Sequence, residues 1–406
     1  MNQPPLVGLR VLDLSRVLSG PYCTALLADL GAEVIKIETP GRGDDSRHFG
    51  PFVGGASVYF ALINRNKKSV ALNLKHARAK EIVLALAEKS DGVVENFRPG
   101  VAARLGLDYE TLSRRNPRLV YLSISGFGQD GPHAGWAAYD LIIQAMSGIM
   151  SVTGQPEGPP TALGESLGDL WTGLMGSWAV LAALQARTRT GQGERIDLGM
   201  FDALMSMQMT GLANLLASGK APPRVGNRHP VTTPVNSYRC RDGLAVLVVT
   251  SDAQFKALCG VMGRAELAAD ARFLRNPDRF ANEPALRAAI EAWSAALDVN
   301  DVVARCHGAE IPAGPVWDLA QAVGSAQAAA RGLFRSVAHP VFGELKLAPQ
   351  PAKFSRSAGV EPVREPLLGE HTAEVLSTLL GVDEAEMEVL RREGTLQETA
   401  RAPAVK

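Results

Sequence analysis

The chain lacks the features that usually mark nucleic-acid-binding, metal-binding and secreted proteins. Its 42 Lys and Arg residues balance 42 Asp and Glu residues, whereas a protein that binds nucleic acid or an anionic membrane needs a basic surplus. Its four cysteines stand far apart, no CxxC pair occurs, and the seven histidines are scattered, so neither a zinc site nor a disulfide framework is indicated. We expect no metal, no nucleic-acid partner and a reducing compartment.

No long apolar run and no leader peptide stand out in the sequence. The first residues carry no basic segment followed by an apolar one, which is the pattern of a secretory signal. The most apolar stretch, residues 170–186, is interrupted by Thr172, Gly173, Gly176 and Ser177 and is short for a membrane span. We expect this stretch to form a buried helix, and we expect a cytoplasmic protein without a membrane partner.

The composition is that of an ordinary globular protein, with 46% hydrophobic and 21% charged residues. A length of 406 residues exceeds one domain of about 150 residues and predicts two or three compact units. A linker-like segment with proline and glycine begins at residue 221. We therefore predict a large domain formed by residues 1–220 and completed by residues 326–406, with a smaller α+β domain at residues 225–325.

Strand-like and helix-like segments alternate through the first part of the chain. Apolar, β-branched segments predict strands, and segments with helical periodicity predict helices. Such alternation is typical of a Rossmann-like α/β domain, in which helices cover a mostly parallel sheet. The predicted strands are residues 10–15, 32–37, 69–74, 92–95 and 119–124, and the predicted helices are residues 21–30, 77–89 and 99–105.

The turn that follows the first predicted strand, residues 15–21, is a candidate ligand site. In an open α/β sheet, ligands bind at the carboxyl ends of the strands, and a helix N-terminus offers amide donors to an anion. The turn lacks the GxGxxG pattern of nicotinamide dinucleotide sites. It is also consistent with a turn that merely ends a strand.

A local basic surplus is hidden in the neutral chain. Residues 1–104 carry 14 Lys and Arg against 10 Asp and Glu, a surplus of four. A ligand with several phosphate groups would use such cations, although each of them alone is consistent with ordinary solvated charge. The basic residues include Arg16, Lys36, Arg42, Arg47, Lys67, Lys68, Lys75, Arg98 and Arg104.

Asp169 stands at the start of the long apolar helix that is predicted from Leu170 onwards. Aspartate is a preferred N-cap residue, so a purely structural role is open. A carboxylate at a helix N-terminus is also kept ionised by the helix dipole, and the adjacent Gly168 permits close approach of a ligand. Asp169 is therefore also a candidate nucleophile towards an activated acyl group.

Two further motifs contain groups that could contact a ligand. Tyr139 and Asp140 follow a loop rich in glycine, residues 126–133, and irregular loops of this kind often carry functional residues. Tyr139 is equally consistent with an aromatic residue that begins a helix. Arg228 and His229 place a cation beside an imidazole, although a surface linker would explain them as well.

Taken together and in order, several segments resemble the family III CoA-transferases, across residues 6–395. The resemblance implies an enzyme that passes CoA from an acyl-CoA thioester to a carboxylic acid, with no tightly bound cofactor. It also implies that Asp169 is the catalytic nucleophile, through an aspartyl anhydride and an aspartyl-CoA thioester, and that the chain forms an interlocked homodimer. The matching segments are residues 8–21, 30–38, 64–69, 94–100, 168–169 and 366–371.

The same resemblance implies a set of residues that contact coenzyme A, carried over position by position. The expected partners are therefore small molecules, an acyl-CoA and a carboxylate. The residues expected to contact CoA are Arg16, Val17, Leu18, Leu72, Lys75, Asn96, Phe97, Arg98, Arg104 and Tyr139.

Departures from one branch of the family narrow the substrate. Leu18, Thr39 and Ala137 stand where, or close to where, the formyl-CoA branch has Gln, Arg and Lys, and the run of glycines of that branch is missing. The resemblance therefore disfavours formate and oxalate. Residues 43–51 are instead similar to the succinyl-CoA:dicarboxylate branch, which implies succinyl-CoA as donor and a short dicarboxylate such as glutarate or mesaconate as acceptor.

A second carboxylate on the substrate needs a cation, and a guanidinium group offers it two parallel donors. Arg47 is one candidate, and the pair Arg228 and His229 is the other. The sequence leaves the choice between them open.

Two other functions are considered for the same segments. The α-methylacyl-CoA racemases resemble the chain around Tyr139 and Asp140 but carry a histidine directly before the aspartate. Racemisation needs two bases on opposite faces of one carbon, and a phenol with a pKa of about 10 is a poor base, so CoA transfer is favoured. A non-catalytic CoA-binding protein is the other alternative, and the presence of Gly168 and Asp169 argues against it.

Overall fold

The chain forms two compact units, and the computed structural model describes residues 3–397. The first unit contains the described residues up to Ile149, Ala162–Thr210 and the described residues from Ala329 onwards. The second unit contains Met150–Thr161 and Gly211–Ala328. The second unit thus includes residues 225–325, but also residues 150–161, 211–224 and 326–328, of which 150–161, 211–220 and 326–328 were predicted to belong to the large domain.

Both units contain strands and helices. The strands are β1 (Arg10–Asp13), β2 (Glu33–Glu38), β3 (Phe52–Val53), β4 (Ala56–Ser57), β5 (Lys67–Leu72), β6 (Gly92–Glu95), β7 (Val120–Ser125), β8 (Arg195–Gly199), β9 (Val235–Arg239), β10 (Leu244–Val248), β11 (Ala313–Pro315), β12 (Arg335–His339), β13 (Gly343–Leu347) and β14 (Leu396–Gln397). The α-helices are α1 (Ser19–Asp29), α2 (Val58–Ile63), α3 (Ala77–Glu88), α4 (Val101–Leu105), α5 (Tyr109–Arg115), α6 (Asp140–Met146), α7 (Ile149–Val152), α8 (Leu167–Thr190), α9 (Met200–Ser206), α10 (Met209–Ser218), α11 (Asp252–Val261), α12 (Asn276–Ala281), α13 (Glu283–Ser294), α14 (Val299–His307), α15 (Leu319–Val323), α16 (Ala326–Arg331), α17 (Thr372–Leu380) and α18 (Glu384–Arg392).

The central sheet of the first unit has the strand order β14, β5, β2, β1, β6, β7, β8. All neighbours from β5 to β8 pair in parallel, and β14 pairs antiparallel with β5 at the edge. The prediction of an α/β fold with a mostly parallel sheet is therefore confirmed. Because the chain adds strands first on one side of β1 and then on the other, the order reverses between β1 and β6. In a doubly wound sheet the ligand crevice lies at the carboxyl ends of the strands at this point.

Two apolar layers cover the two faces of this sheet. Leu12 and Val93 face one layer, which also contains residues of α3, α5, α17 and α18. Val11 and Val94 face the other layer, which contains residues of α1, α8 and α9. Because successive strand residues point to opposite faces, both faces of the strands are buried, as a parallel sheet requires.

Helix α8 is the helix predicted over the apolar stretch, and it extends further at both ends. In the described part of the chain it is the one helix long and apolar enough to cross a membrane by length and composition, properties that a core helix shares. A Cβ at Gly173 would lie 2.7 Å from the carbonyl oxygen of Ser19, and a Cβ at Gly176 would lie 3.0 Å from a methyl group of Leu122. These glycines let α8 pack closely against α1 and β7.

The second unit has its own sheet and its own core. Strands β9, β10 and β11 pair in antiparallel fashion, and helices α11, α13 and α14 contribute to the core beside them. Large buried side chains in this core include Tyr238, Phe255 and Phe273. An antiparallel sheet with separate helices is the α+β arrangement.

Candidate active site

The loops that follow β1 and β6 meet at the crevice of the sheet. The backbone amide of Arg16 donates to Oδ1 of Asn96 (2.9 Å), and Nδ2 of Asn96 donates to the carbonyl oxygen of Arg16 (2.7 Å). These two bonds tie the backbone of Arg16 to the side chain of Asn96 and so join the two loops at the place where a doubly wound sheet binds its ligand. The turn after the first strand, a candidate from the sequence, therefore lies at the crevice.

A buried ion pair supports the loop after β1. Asp13 ends β1, and its Oδ1 accepts a hydrogen bond from the backbone amide of Ser15 (2.9 Å). Its Oδ2 lies 3.0 Å from Nζ of Lys67, and both side chains are fully buried. Lys67 also donates to the carbonyl oxygen of Pro21 (2.8 Å) and to Oδ1 of Asn64 (3.0 Å). All three ammonium protons are thus engaged within the protein, and Lys67 has none to offer to a phosphate.

A second buried pair, Lys36 and Asp44, holds the same loop. Nζ of Lys36 lies 2.8 Å from Oδ2 of Asp44 and donates to the carbonyl oxygen of Ser15 (2.8 Å). Oδ1 of Asp44 accepts the backbone amide of Val17 (3.0 Å). The φ angle of Val17 is +69°, which is unfavourable for a β-branched residue. The ion pair therefore helps to hold a strained backbone in place.

The first of these pairs keeps its charges at neutral pH. Burial by itself would raise the pKa of Asp13, but Lys67 and Lys36 outweigh this effect and hold the pKa well below its usual range. Burial lowers the pKa of Lys67 to about 8, against the opposing effect of Asp13. Asp13 is therefore ionised and Lys67 is mostly protonated, so the crevice has a charged and rigid base.

Two cavities lie along the crevice and share Arg16 and Phe97. The larger, of about 400 Å³, borders the ends of β1, β2 and β5 and includes Arg42 and Leu72. The smaller, of about 110 Å³, contains Asp169. Because the two share lining residues, they lie next to each other. The smaller cavity is also lined by Val17, Ser19, Asn96, Arg98, Pro99, Ile124, Ser125, Gly126, Trp136, Ala138, Tyr139 and Met200.

Asp169 is the third residue of α8. The helix begins at Leu167, and Ser166 occupies the N-cap position. The interpretation of Asp169 as an N-cap is therefore wrong, because the helix starts earlier than the apolar run that predicted it. The Asp169 side chain is half-buried and borders the smaller cavity.

The Asp169 carboxyl group has a raised pKa that lies close to neutral pH. Burial raises its pKa to about 7, the charge of Asp140 adds to this effect, and hydrogen bonding from Ser19 opposes it. The helix N-terminus favours the ionised form of Asp169, but burial in the surrounding protein acts in the opposite direction and raises the pKa. A carboxyl group with such a raised pKa in a cavity is a typical functional group.

Asp140 positions the start of α8. Its Oδ1 accepts a hydrogen bond from the backbone amide of Gly168 (2.7 Å), and its Oδ2 accepts one from Nε2 of Gln144 (2.7 Å). A Cβ at residue 168 would lie 2.9 Å from Oδ1 of Asp140, so glycine permits this contact. Gln144 in turn donates to the carbonyl oxygen of Glu165 (3.1 Å) and accepts the amide of Leu163 (2.9 Å). The sequence did not predict this positioning role.

Tyr59, on α2, is a further residue that the sequence did not predict. Burial raises the pKa of its phenol to about 12, and the negative charges of Asp169, Glu165 and Asp140 contribute to the increase. The phenol is therefore electrostatically coupled to the carboxyl groups around the start of α8. No motif marks Tyr59, because it stands in a short apolar segment.

Most of the residues predicted to contact CoA line one of the two cavities. Leu18 is instead buried at the N-cap position of α1. Lys75 and Arg104 are exposed and line neither of the two cavities. Contact with CoA stays a prediction for the whole set. The lining residues among them are Arg16, Val17, Leu72, Asn96, Phe97, Arg98 and Tyr139.

The candidates for a second substrate carboxylate differ in their surroundings. Arg47 binds Glu38 through two hydrogen bonds, from Nε to Oε2 and from Nη2 to Oε1, both 2.7 Å long. Its guanidinium group also lies 3.8 Å from the ring centroid of Phe60. Its charge is thus paired within the fold, which argues against a role in binding substrate. Arg228 and His229 belong to the second unit, and their role stays a prediction.

Neither metal nor disulfide chemistry is built into the described part of the chain. Within residues 3–397, no group of three or more His, Cys, Asp and Glu side chains is arranged to hold a metal ion. The cysteines are free thiols, and Cys23, Cys259 and Cys306 are buried.

Comparison with known proteins identifies the family. A sequence model described as CoA-transferase family III matches residues 6–372. An acetyl-CoA:oxalate CoA-transferase of Acetobacter aceti is 48% identical over 330 residues, which cover 81% of this chain and 85% of the relative. A succinate–glutarate CoA-transferase of Agrobacterium fabrum is 37% identical over 408 residues, covering 97% and 98%. The crystal structure of a CaiB/BaiF family protein from Brucella suis has a TM-score of 0.84 at 38% identity and covers 93% of this chain and 100% of that one. The chain therefore belongs to the CoA-transferase family III and is a transferase enzyme.

Proposed function

We propose that this enzyme transfers CoA from an acyl-CoA to a short dicarboxylic acid, with Asp169 as the nucleophile. One observation carries the proposal: Asp169 borders a small cavity that shares Arg16 and Phe97 with a larger cavity at the switch point of the sheet. Family membership supports CoA transfer between an acyl-CoA and an acid. The names of the two relatives support a dicarboxylate, because oxalate and glutarate both carry two carboxylates.

The larger cavity offers room and charge for the nucleotide end of CoA. Arg16 and Arg42 border it, and their largely exposed guanidinium groups lie 3.0 Å and 3.1 Å from the carboxylate of Asp45. Exposed ion pairs of this kind are weak, so a phosphate group can replace Asp45 as the partner of either arginine. The pantetheine arm then passes Phe97 and presents the thioester to Asp169.

Arg16→Ala is expected to raise the KM for acyl-CoA by roughly tenfold with little change in kcat, because a phosphate contact contributes to binding without changing in the transition state. Initial rates over a range of acyl-CoA concentrations test this. The KM of the unmodified enzyme should rise with ionic strength, and that of the variant should rise less. Arg189→Ala, an exposed arginine in the last turn of α8, is the matched control. An unchanged KM for Arg16→Ala would exclude the phosphate contact.

The first half of the reaction loads CoA onto the enzyme. A carboxylate oxygen of Asp169 attacks the thioester carbon, the carbon–sulfur bond breaks, and CoA leaves as a thiolate while a mixed anhydride remains. The thiolate then attacks the Asp169 carbonyl carbon of this anhydride. The carbon–oxygen bond breaks, the donor acid leaves as a carboxylate, and an aspartyl-CoA thioester is formed.

The second half repeats these steps with the acceptor acid. The acceptor carboxylate attacks the carbonyl carbon of the aspartyl-CoA thioester, and CoA thiolate leaves again. The thiolate then attacks the acceptor carbonyl carbon of the new anhydride, which releases the acceptor acyl-CoA and returns Asp169 as a carboxylate. No net proton is taken up or released, so the site has to hold charge and exclude water rather than relay protons.

The rate of enzyme acylation is expected to depend on pH, because only the Asp169 carboxylate is nucleophilic. With a pKa of about 7, the rate constant should fall about tenfold for each pH unit below that value and level off above it. Rapid-quench measurements at saturating acyl-CoA between about pH 5 and 8.5 test the expectation, since free acids with a pKa of about 4 stay ionised in this range.

The variant Asp140→Asn identifies the titrating group. It removes the negative charge that raises the pKa of Asp169, so the profile should move to lower pH. A rate constant that is independent of pH down to about 5 would contradict the assignment of this raised pKa to Asp169. The same conclusion would follow if Asp140→Asn left the midpoint of the profile where it was.

A panel of donors and acceptors tests the proposed substrates. Acetyl-CoA and succinyl-CoA are each combined with oxalate, glutarate, mesaconate and matched monocarboxylates, and new acyl-CoA products are identified by mass spectrometry. Oxalate enters the panel because a relative 48% identical to this chain is named for it, although Leu18, Thr39 and Ala137 depart from the formyl-CoA branch. We expect higher kcat/KM for dicarboxylates than for monocarboxylates of the same length. Equal values for the two classes would contradict the dicarboxylate proposal.

We also propose that the enzyme acts as a homodimer. Leu141 on α6 and Leu174 and Trp178 on α8 are large apolar side chains that are 58%, 45% and 63% exposed. An exposed apolar surface of this kind is typical of an interface. Mass determination in solution tests the proposal, and a monomer at micromolar concentration would contradict it.

A further inference from the structure

Ser125 is a buried hydroxyl group without a partner in the wall of the cavity that contains Asp169. It is the last residue of β7 and is only 7% exposed. Its Oγ makes no hydrogen bond within residues 3–397, yet the residue lines the smaller cavity together with Asp169 and Tyr139. Buried polar groups are nearly always hydrogen-bonded, so an orphaned one needs an explanation.

Other serines near the crevice have partners, which sets Ser125 apart. Ser15 donates both its amide and its hydroxyl to Asp13, and hydrogen bonding from Ser19 lowers the pKa of Asp169. Ser177, further along α8, donates to the carbonyl oxygen of Leu174 (2.7 Å). The hydroxyl of Ser125 therefore lacks the hydrogen-bond partner that these other serines have. A ligand in the adjacent cavity can supply that partner.

The backbone at Ser125 is held rigidly. Ser125 pairs with Gly199 on β8, and the carbonyl oxygen of the next residue, Gly126, accepts a hydrogen bond from the backbone amide of Phe201 (3.0 Å). A Cβ at Gly126 would lie 2.4 Å from Cβ of Ala138, so the chain after the strand is also tightly packed. A group on such a fixed strand end is preorganised, because little reorganisation is needed when its partner arrives.

We propose that the hydroxyl of Ser125 donates a hydrogen bond to the carbonyl oxygen of the acyl group while Asp169 attacks it. This inference rests on the proposed function. As the Asp169 oxygen forms its bond to the thioester carbon, the π electron pair of the carbonyl moves onto its oxygen. The negative charge is stabilised by the Ser125 hydroxyl, which keeps its proton. When this electron pair re-forms the carbonyl double bond, the carbon–sulfur bond breaks and CoA leaves as a thiolate.

A donor role fits Ser125 better than a nucleophilic one. A serine nucleophile needs a general base within hydrogen-bond distance, and within residues 3–397 no group is hydrogen-bonded to Oγ of Ser125. A hydroxyl that has no partner in the free enzyme forms its hydrogen bond only when a ligand is bound. That bond strengthens when the acceptor becomes an oxyanion, which is how binding energy is directed to the transition state.

Ser125→Ala tests the proposal because catalysis and stability should respond differently. We expect kcat and the single-turnover rate of enzyme acylation to fall roughly 10- to 100-fold, with the KM for acyl-CoA little changed. The melting temperature should stay the same or rise, because no hydrogen bond is lost in the free protein. Ser177→Ala is the matched control, since it removes a hydroxyl that is bonded within α8, and kcat should be unaffected.

Each other outcome overturns the proposal. A kcat like that of the unmodified enzyme would do so, and so would a raised KM with unchanged kcat, which would indicate a contact to the pantetheine arm. Lowered kcat with a lowered melting temperature would indicate a structural role. If Ser125→Ala is not obtained folded, Ser125→Cys replaces it, and its weak S–H donor should also lower kcat at unchanged KM. The variant Asp169→Asn is measured in parallel to separate the role of Ser125 from that of Asp169. Activity in Asp169→Asn would refute the proposed function itself.

Discussion

Asp169→Asn is expected to reduce CoA transfer by roughly 10⁴-fold or more, because an amide cannot attack a thioester and the remaining site only binds. The same variant is expected to be more stable than the unmodified enzyme above neutral pH. The pKa of Asp169 in the folded protein, about 7, lies above that of an unfolded aspartate, about 3.9. The folded state therefore binds the proton more tightly, and Asp169 costs stability as the pH rises from about 4 to 7.

The measurement combines activity with thermal unfolding at two pH values. The melting temperature of Asp169→Asn should exceed that of the unmodified enzyme by more at pH 8 than at pH 5, since the asparagine carries no charge to be desolvated. Glu157→Gln, which neutralises an exposed carboxylate, serves as the control and should leave activity and stability unchanged. Retained transfer, or an equal stability difference at both pH values, would contradict the account of Asp169.

Lys67→Met is expected to destabilise the protein by about 3–5 kcal/mol, because it leaves Asp13 buried with no countercharge from Lys67. The effect should reach function as well, since Asp13 also accepts the backbone amide of Ser15 in the loop before Arg16. We therefore expect a raised KM for acyl-CoA at temperatures where the variant is still folded. Lys75→Met, at an exposed lysine, should change stability by less than about 0.5 kcal/mol.

A double variant shows whether the ion pair is responsible. Replacing both partners, as in Asp13→Leu with Lys67→Met, removes the uncompensated charge and should recover part of the lost stability. Urea unfolding of the three variants measures the coupling. If Lys67→Met is as stable as the unmodified protein, or if the double variant is as unstable as the two single changes added together, the buried pair does not support the loop.

The order of strands and helices in the first unit could be predicted from the sequence because it depends on local patterns. Apolar, β-branched segments identified β1, β2, β5, β6 and β7, and their alternation with helices implied a parallel sheet. The crevice at the end of β1 followed from general rules for such sheets. The hydrogen bonds that join the loops after β1 and β6 could not be predicted. Arg16 and Asn96 lie 80 positions apart, and only the tertiary structure brings them together.

The basic surplus near the N-terminus was partly misleading for a similar reason. Lys36, Arg47 and Lys67 counted towards a phosphate-binding surface, yet all three are paired with carboxylates inside the fold. A sequence does not distinguish a lysine on a buried strand from one at its exposed end. Arg16 and Arg42 are the cations that remain largely exposed at the larger cavity.

The state of Asp169 depends on contacts that sequence reasoning could not supply. Its place near a helix start was visible, and the helix dipole alone predicts an ionised carboxylate. Burial and the charge of Asp140 act in the opposite direction and raise the pKa of Asp169. Tyr59, Ser19 and Ser125 were also missed, because a tyrosine or serine in an apolar or turn segment carries no signal of its own.

Covalent trapping on Asp169 tests the central claim most directly. The enzyme is mixed with acyl-CoA, quenched with hydroxylamine, digested, and analysed by mass spectrometry. Hydroxylamine attacks the Asp169 carbonyl of the anhydride or thioester and should leave a hydroxamate at this residue that depends on acyl-CoA. An Asp169 peptide that remains unmodified during full turnover would contradict the covalent mechanism.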